Sequence, residues 1–330
     1  MCNYECCKSR SPIAKRMAAR KILQLEEEER KKPKFVIPTP QSLFYPFEEV
    51  EAMAKYIIDT SHIRPKYGLI CGKLIGSMIS LVEDPVIIPF EDIPNFPAGI
   101  NPESCFRVGH VMGAPIIALA DRFQTFDGFN LATCSLPVRV MQLCGVKTIM
   151  LTSEAAAVNQ QYELGDIMLV EDHINIVGMM QQTPLEGPND PRFGSRLFSM
   201  VNAYDRDLLA AAEDIGHELG IQNSLHRGVF AVLGGPVYET VAEERLLRTF
   251  EVDAVGISLL PEVIAAHHGG LKVFCFVIIS MAANDKGAEG DDREVEFEMD
   301  RKKSLEVPPL KVQACSDLIG HLLYDLHQEL

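Results

Sequence analysis

No apolar segment in the 330 residues approaches the length of a membrane span, and the chain opens polar and cationic without a hydrophobic signal region, so the cytoplasm is the expected compartment. Positive charge is scarce beside negative: 31 Lys and Arg stand against 46 Asp and Glu, a formal net charge of −15. So acidic a chain has no large basic face, which excludes a nucleic-acid backbone as the main partner and leaves small anionic ligands open. No H-x-x-x-H pair and no cysteine cluster has the spacing of a zinc site, so no metal is expected, and His173, His267 and His268 read as packed or surface residues. No repeat of fixed period and no linker interrupts residues 40–330.

What is present is ordinary for a globular protein: 47% apolar and 23% charged residues, enough for a sizeable core. Of the nine cysteines, Cys71, Cys105, Cys134, Cys144, Cys275 and Cys315 lie in apolar runs, where a free thiol behaves as a small hydrophobe. Cys2, Cys6 and Cys7 crowd a polar N-terminus with no histidine or further cysteine pair beside them. They read as reduced thiols, with redox, lipid-bearing and metal-binding roles as the alternatives.

Residues 1–38 form an N-terminal arm rich in Ala, Leu, Glu, Lys and Arg that ends in the charge blocks EEEE and RKK, the composition of an exposed helix or a disordered arm. Residues 39–330 read as one α/β domain. Strand-like stretches fall at 67–71, 85–90, 106–112, 115–120, 148–152, 166–170, 229–233, 254–257 and 272–279. Helical spacing marks 48–60, 133–143, 203–219, 241–250, 262–268 and a long closing helix. Within 203–219, Leu208, Leu209, Ala212, Ile215 and Leu219 share one face. Val- and Ile-rich strands alternating with helices predict a central mixed, largely parallel β-sheet flanked by helices. The acidic residues 287–303 are expected as a mobile loop.

The stretch LICGKLIGSMI (residues 69–79) has the outline of a strand turning into a helix, where backbone N–H groups and a helix N-terminus favour anions. Its turn, however, carries Lys73, Leu74 and Ile75 where a phosphate cradle favours small residues.

The string GGPVYETVAEERLL (234–247), followed by VGISLLPEVIAAHHGGL (255–271), resembles the trimeric, low-molecular-mass purine nucleoside phosphorylases. IPNFP (93–97), LPVRV (136–140), GDIMLVEDHIN (165–175), GPNDPRFG (187–194) and AYDR (203–206) match in the same order. The resemblance implies a nucleoside phosphorylase-like fold, a homotrimer, a purine nucleobase or nucleoside as ligand, no cofactor, and phosphate as co-substrate. The implied chemistry is displacement of a purine from ribose C1′ by phosphate through an oxocarbenium-like sugar. It requires a desolvated, aimed phosphate, a donor at the departing base and a carboxylate on the base edge.

Carried over residue by residue, the resemblance puts Tyr238, Glu239 and Ile257 at the base, Phe126 and Phe230 beside the ribose, and Leu197, with Phe198 adjacent, where a neighbouring subunit contributes an aromatic. For Glu239 the alternative is a helix N-terminal carboxylate favoured by the dipole. The phosphate side falls on Lys73, Arg122, Glu154 and Ser258. The family's GSGLG, GRFH and TNAAGG appear here as GKLIG, DRFQ and TSEAAA, so only Arg122 and Ser258 keep its polar phosphate ligands. At the catalytic positions the family's two histidines and leaving-group asparagine fall on Ser104, Gln124 and Met281. A thioether cannot donate to a developing purine anion, and losing one such donor costs roughly a hundredfold or more in rate.

Glu154 would repel phosphate, and Lys73 would offset it; Lys73, Arg122 and Glu154 are therefore expected to form an internal ion cluster in the phosphate site, the alternative being that Lys73 and Glu154 point separately to solvent. The expected function is that of a purine nucleoside phosphorylase homologue, catalytically impaired or inactive, that retains nucleobase binding through Glu239 and Tyr238. The alternative is an active phosphorylase of inosine or guanosine with Lys73 serving as a point charge in an altered phosphate site. Hydrolysis with Glu154 as base ranks last.

Overall fold

In the computed structural model, which describes residues 44–99, 101, 103–281 and 307–328, the apolar stretches become nine strands of one mixed sheet. These residues all lie in the unit Pro40–Leu330, whereas the arm expected at 1–38 and the acidic loop expected at 287–303 lie outside the described residues.

Helix α1 (Phe47–Ser61) turns Val50, Met53, Ala54 and Ile57 inward at helical spacing. It is followed by β1 (Tyr67–Ile70), a 3₁₀ turn (Gly76–Leu81), β2 (Glu83–Pro89), β3 (Cys105–Val111) and β4 (Ala114–Leu119). Helix α2 (Leu131–Cys144) starts where the Asn130 side chain accepts from the Thr133 N–H, and it stops at Gly145, whose φ of 115° suits a glycine. Then come β5 (Thr148–Ala157), β6 (Ile167–Asn175), the single turn α3 (Ile176–Met179), α4 (Arg206–Glu218) and β7 (Leu225–Val232). The order ends with α5 (Val241–Thr249), β8 (Ala254–Gly256), α6 (Leu260–His268), β9 (Lys272–Met281) and α7 (Pro309–Gln328).

The strands lie in the order β2-β3-β4-β1-β5-β8-β7-β6-β9, and β9 pairs back onto β5, so β5, β8, β7, β6 and β9 close into a ring. Parallel pairing joins β1 to β4 and β5, β5 to β9, β6 to β7 and β7 to β8. Antiparallel pairing joins β2 to β3, β3 to β4, β5 to β8 and β6 to β9. Strands covered on both faces need continuous apolar sequence, and β1 and Val273–Ile279 of β9 are buried throughout. Cys315, Leu318, Ile319, Leu322 and Leu323 of α7 are fully buried in the same core. Each such leucine or isoleucine contributes about 1.5–3 kcal/mol. The six cysteines in the apolar runs are free, and burial pushes the thiols of Cys71, Cys144 and Cys315 up to about 12, which keeps them neutral.

Two local differences from the sequence expectations bear on the site. Strand β5 runs on past Thr152 to Ala157, because Ser153–Ala155 register with Val277–Ile279 of β9 and Ala156 with Val255 of β8. After β1 the chain forms only the 3₁₀ turn, which aligns few peptide dipoles, so the anion-favouring α-helix end expected there is not built.

Candidate active site

Because β4, β1 and β5 are parallel neighbours, their carboxyl ends meet at one edge, the usual ligand crevice of α/β sheets. The chain leaving β1 brings Cys71 and Lys73 there, the chain leaving β4 brings Asp121–Asp127, the far half of β5 brings Ser153 and Glu154, and the chain leaving β8 brings Ile257 and Ser258. A cavity of about 450 Å³ results, and Lys73, Ser104, Arg122, Gln124, Phe126, Glu154 and Ser258 all line it. A second, smaller cavity of about 80 Å³ shares Arg122, Gln124 and Ser258 and adds Ile257 and Glu262.

Arg122 is held on three sides. Its Nε donates to Glu262 Oε1 at 2.7 Å, its Nη1 to the Cys71 carbonyl at 3.0 Å and its Nη2 to the Ile70 carbonyl at 3.2 Å. The guanidinium thus ties the end of β1 to α6 while facing both cavities. Ser258 and Ser153 share a hydroxyl contact of 2.8 Å, and Leu259, next in the chain, is fully buried at φ 82°. A leucine in that region is strained, and such strain persists where surrounding structure imposes it, here at the turn that aims Ser258.

The ion cluster expected of Lys73, Arg122 and Glu154 does not form in that way. Arg122 pairs with Glu262, and Glu154 Oε1 accepts from the Leu74 backbone N–H instead of meeting an ammonium. Lys73 is exposed and acts electrostatically on Asp127, whose carboxyl is pushed up by burial that outweighs the opposing pull of Lys73. Ser104, which the resemblance sets at one of the family's histidine positions, donates to Asp121 Oδ2 at 3.0 Å.

On the base side the predicted residues are more scattered. Ile257 lines the smaller cavity, but Tyr238 and Glu239 sit on the loop between β7 and α5, outside the linings of both cavities, with Tyr238 49% exposed. Glu239 directly precedes Thr240, which caps α5 with Glu243 completing the capping box, and burial, with smaller contributions from Glu243 and Glu244, pushes the Glu239 carboxyl up against an opposing backbone hydrogen bond. Phe230, expected beside the ribose, is fully buried in the core and lines neither cavity. Met281 closes β9 opposite Ala156. Leu197 is 87% exposed, whereas Phe198 tilts against His268 with ring centres 5.0 Å apart.

Sequence reasoning missed Glu262 and Ser153. Glu262 left a signal, a lone carboxylate in the apolar run LLPEVIAA that buries to 4% exposure and therefore needs a partner. Ser153 left none, since its role depends on the register that brings it to Ser258.

Comparison with known proteins adds an independent line. The model of the Phosphorylase superfamily matches residues 48–306. Purine nucleoside phosphorylase of Anopheles gambiae is 36% identical over 297 residues, spanning 88% of this chain and 82% of its own. That of Mus musculus is 40% identical over 238 residues, spanning 72% of this chain and 82% of its own. Among solved structures, isoform 2 of the Schistosoma mansoni purine nucleoside phosphorylase, crystallised with cytosine and ribose-1-phosphate, aligns with a TM-score of 0.79 at 33% identity and covers 87% of this chain and 98% of that one.

Proposed function

The chain belongs to the purine nucleoside phosphorylase family, and from that premise we propose that it takes purine nucleosides such as inosine or guanosine and, with phosphate as co-substrate, releases the base and ribose 1-phosphate in the cavity around Arg122. The observation that carries this reading is that Lys73, Arg122 and Ser258 line one cavity with Gln124 and Phe126, at the carboxyl ends of parallel strands. Lys73 supplies the cation that the family's serine does not, as a mobile point charge. A phosphate oxygen attacks C1′, the C1′–N9 bond breaks, and the bonding pair leaves with the purine, which then takes a proton. The reaction needs no cofactor.

In this reading Phe126 packs beside the ribose, and Ile257 and Tyr238 flank the base. Glu239, already short of water, accepts hydrogen bonds from the purine edge, where a charged acceptor is worth about 1.5–3 kcal/mol. Phe198 and the exposed Leu197 face a neighbouring subunit of a homotrimer. The domain begins near residue 39, after an N-terminal arm. Among the described residues no helix is long and apolar enough to cross a membrane, and the cytoplasm is the proposed compartment.

A second reading, retained nucleoside binding with turnover slowed or lost, is favoured by one specific observation. Glu154 already accepts from the Leu74 N–H, and in this reading Met281 supplies no donor to the departing base. Incubation of purified protein with inosine or guanosine in excess phosphate, with free base measured at high protein concentration, separates the two. Phosphate-dependent release supports the first reading. Binding without release moves the assignment to the second, and neither binding nor release overturns both.

A further inference from the structure

We propose that Glu154 is a built-in competitor for phosphate and sets how much phosphate this protein requires. The inference rests on the reading that phosphate enters the cavity around Arg122. Glu154 lines that cavity, and its Oε1 accepts the hydrogen bond of Leu74 N in the turn after β1. The turn passes close to β5 at this carboxylate: at Gly72 an added Cβ would lie 2.8 Å from the Ser153 Cα and 2.9 Å from the same Oε1, so glycine permits the approach. Gly72 N–H is itself engaged, donating to Thr152 Oγ1 at 3.1 Å.

Two further groups of the cavity wall are engaged as well. The Arg122 guanidinium is bonded to Glu262 and to the carbonyls of Cys71 and Ile70, and the Ser258 hydroxyl is paired with Ser153. The cavity lining carries the cations Lys73 and Arg122 against the anions Asp121, Asp127 and Glu154, so its formal sum is negative. An entering phosphate therefore meets a carboxylate that already holds the backbone donor, in a cavity whose net charge opposes it. In a half-exposed site, one like charge at contact range weakens an anion by about tenfold or more.

The test is titration calorimetry of the full chain with inorganic phosphate, for the native protein, Glu154→Gln and Glu154→Ala, with base release from inosine measured in parallel. Glu154→Gln keeps an oxygen for Leu74 N–H and removes only the charge, which guards against a misfolded variant. In both variants the phosphate Kd and the phosphate KM are expected to fall by about tenfold or more, while the inosine KM moves less than about threefold. If the native protein uses phosphate and both variants bind it no more tightly, the inference is overturned and the phosphorylase reading stands. If neither the native protein nor the folded variants bind phosphate or release base, the reading fails and the inference with it.

Discussion

Arg122 donates to Glu262 at 2.7 Å with both side chains almost wholly buried, at 6% and 5% exposure. The two residues lie 140 positions apart, and their contact fastens the start of α6 to the carboxyl end of β1. A buried pair of this kind is weak evidence for net stabilisation, because desolvation offsets the attraction, but removing one partner strands the other charge. Glu262→Ala is expected to cost about 3–5 kcal/mol in urea unfolding, whereas the double change Arg122→Met, Glu262→Leu restores most of that loss. A double variant no more stable than Glu262→Ala would contradict this account.

A second ionic centre fastens α7. Asp166 accepts from Lys311 Nζ at 3.3 Å, from His226 Nε2 at 3.1 Å and from Glu163 N at 2.9 Å. Burial pushes its carboxyl up, but the Glu163 amide, His226 and Lys311 together outweigh that and hold it below the ordinary carboxylate value. A carboxylate depressed in the folded state contributes stability that is fully present above the ordinary Asp value, about 3.9, and is lost as pH falls through the lower folded value. Glu and Asp elsewhere also titrate in that range, so the difference between native protein and Asp166→Asn is the quantity to follow. It is expected to be largest at neutral pH and to shrink steadily below about pH 4.

Much of the fold was legible in the sequence because burial leaves a period. The face Leu208, Leu209, Ala212 and Ile215 of α4 is buried as its spacing predicts, and β1 and β9 are the continuous apolar runs that two-sided burial demands. The far half of β5 was not legible. Ser153 and Glu154 break the apolar run, and only pairing with β9 makes them strand. That Lys73, Arg122, Glu154 and Ser258 belong together was legible, since the motifs carry all four to one cavity. Their partners were not, because a hydrogen bond from the Leu74 amide to Glu154, or from Arg122 across the fold to Glu262, depends on distances that no spacing rule encodes.

His268 joins α2 to the loop that carries Phe198. Its Nδ1 accepts from Arg139 Nη2 at 2.6 Å and its Nε2 donates to the Ser195 carbonyl at 3.0 Å, an arrangement that requires the neutral ring. Burial, with the charges of Arg139 and Arg196, pushes the imidazole down, against smaller opposing effects from the Ser195 and Gly194 backbone. The unfolded chain therefore takes up the proton first as pH falls, and stability declines from about pH 6.5 down to the lower folded value. His268→Gln is expected to flatten that decline in urea unfolding measured from pH 7.5 to 5. An unchanged slope would place the titration on another group.

Met281 tests the departing base. It ends β9 in register with Ala156, and in the proposed reading, which sets it where the family carries an asparagine, its thioether offers no proton to a developing purine anion. Adding one preorganised donor there is worth roughly a hundredfold or more in rate, provided the donor meets charge that appears only in the transition state. Met281→Asn is therefore expected to raise kcat for base release from inosine by about tenfold or more, with KM nearly constant. A change confined to KM would mean that the residue touches the bound nucleoside equally in both states. No change in either constant would place the Met281 side chain away from the base, and the search for the donor would then move to Gln124, which faces both cavities.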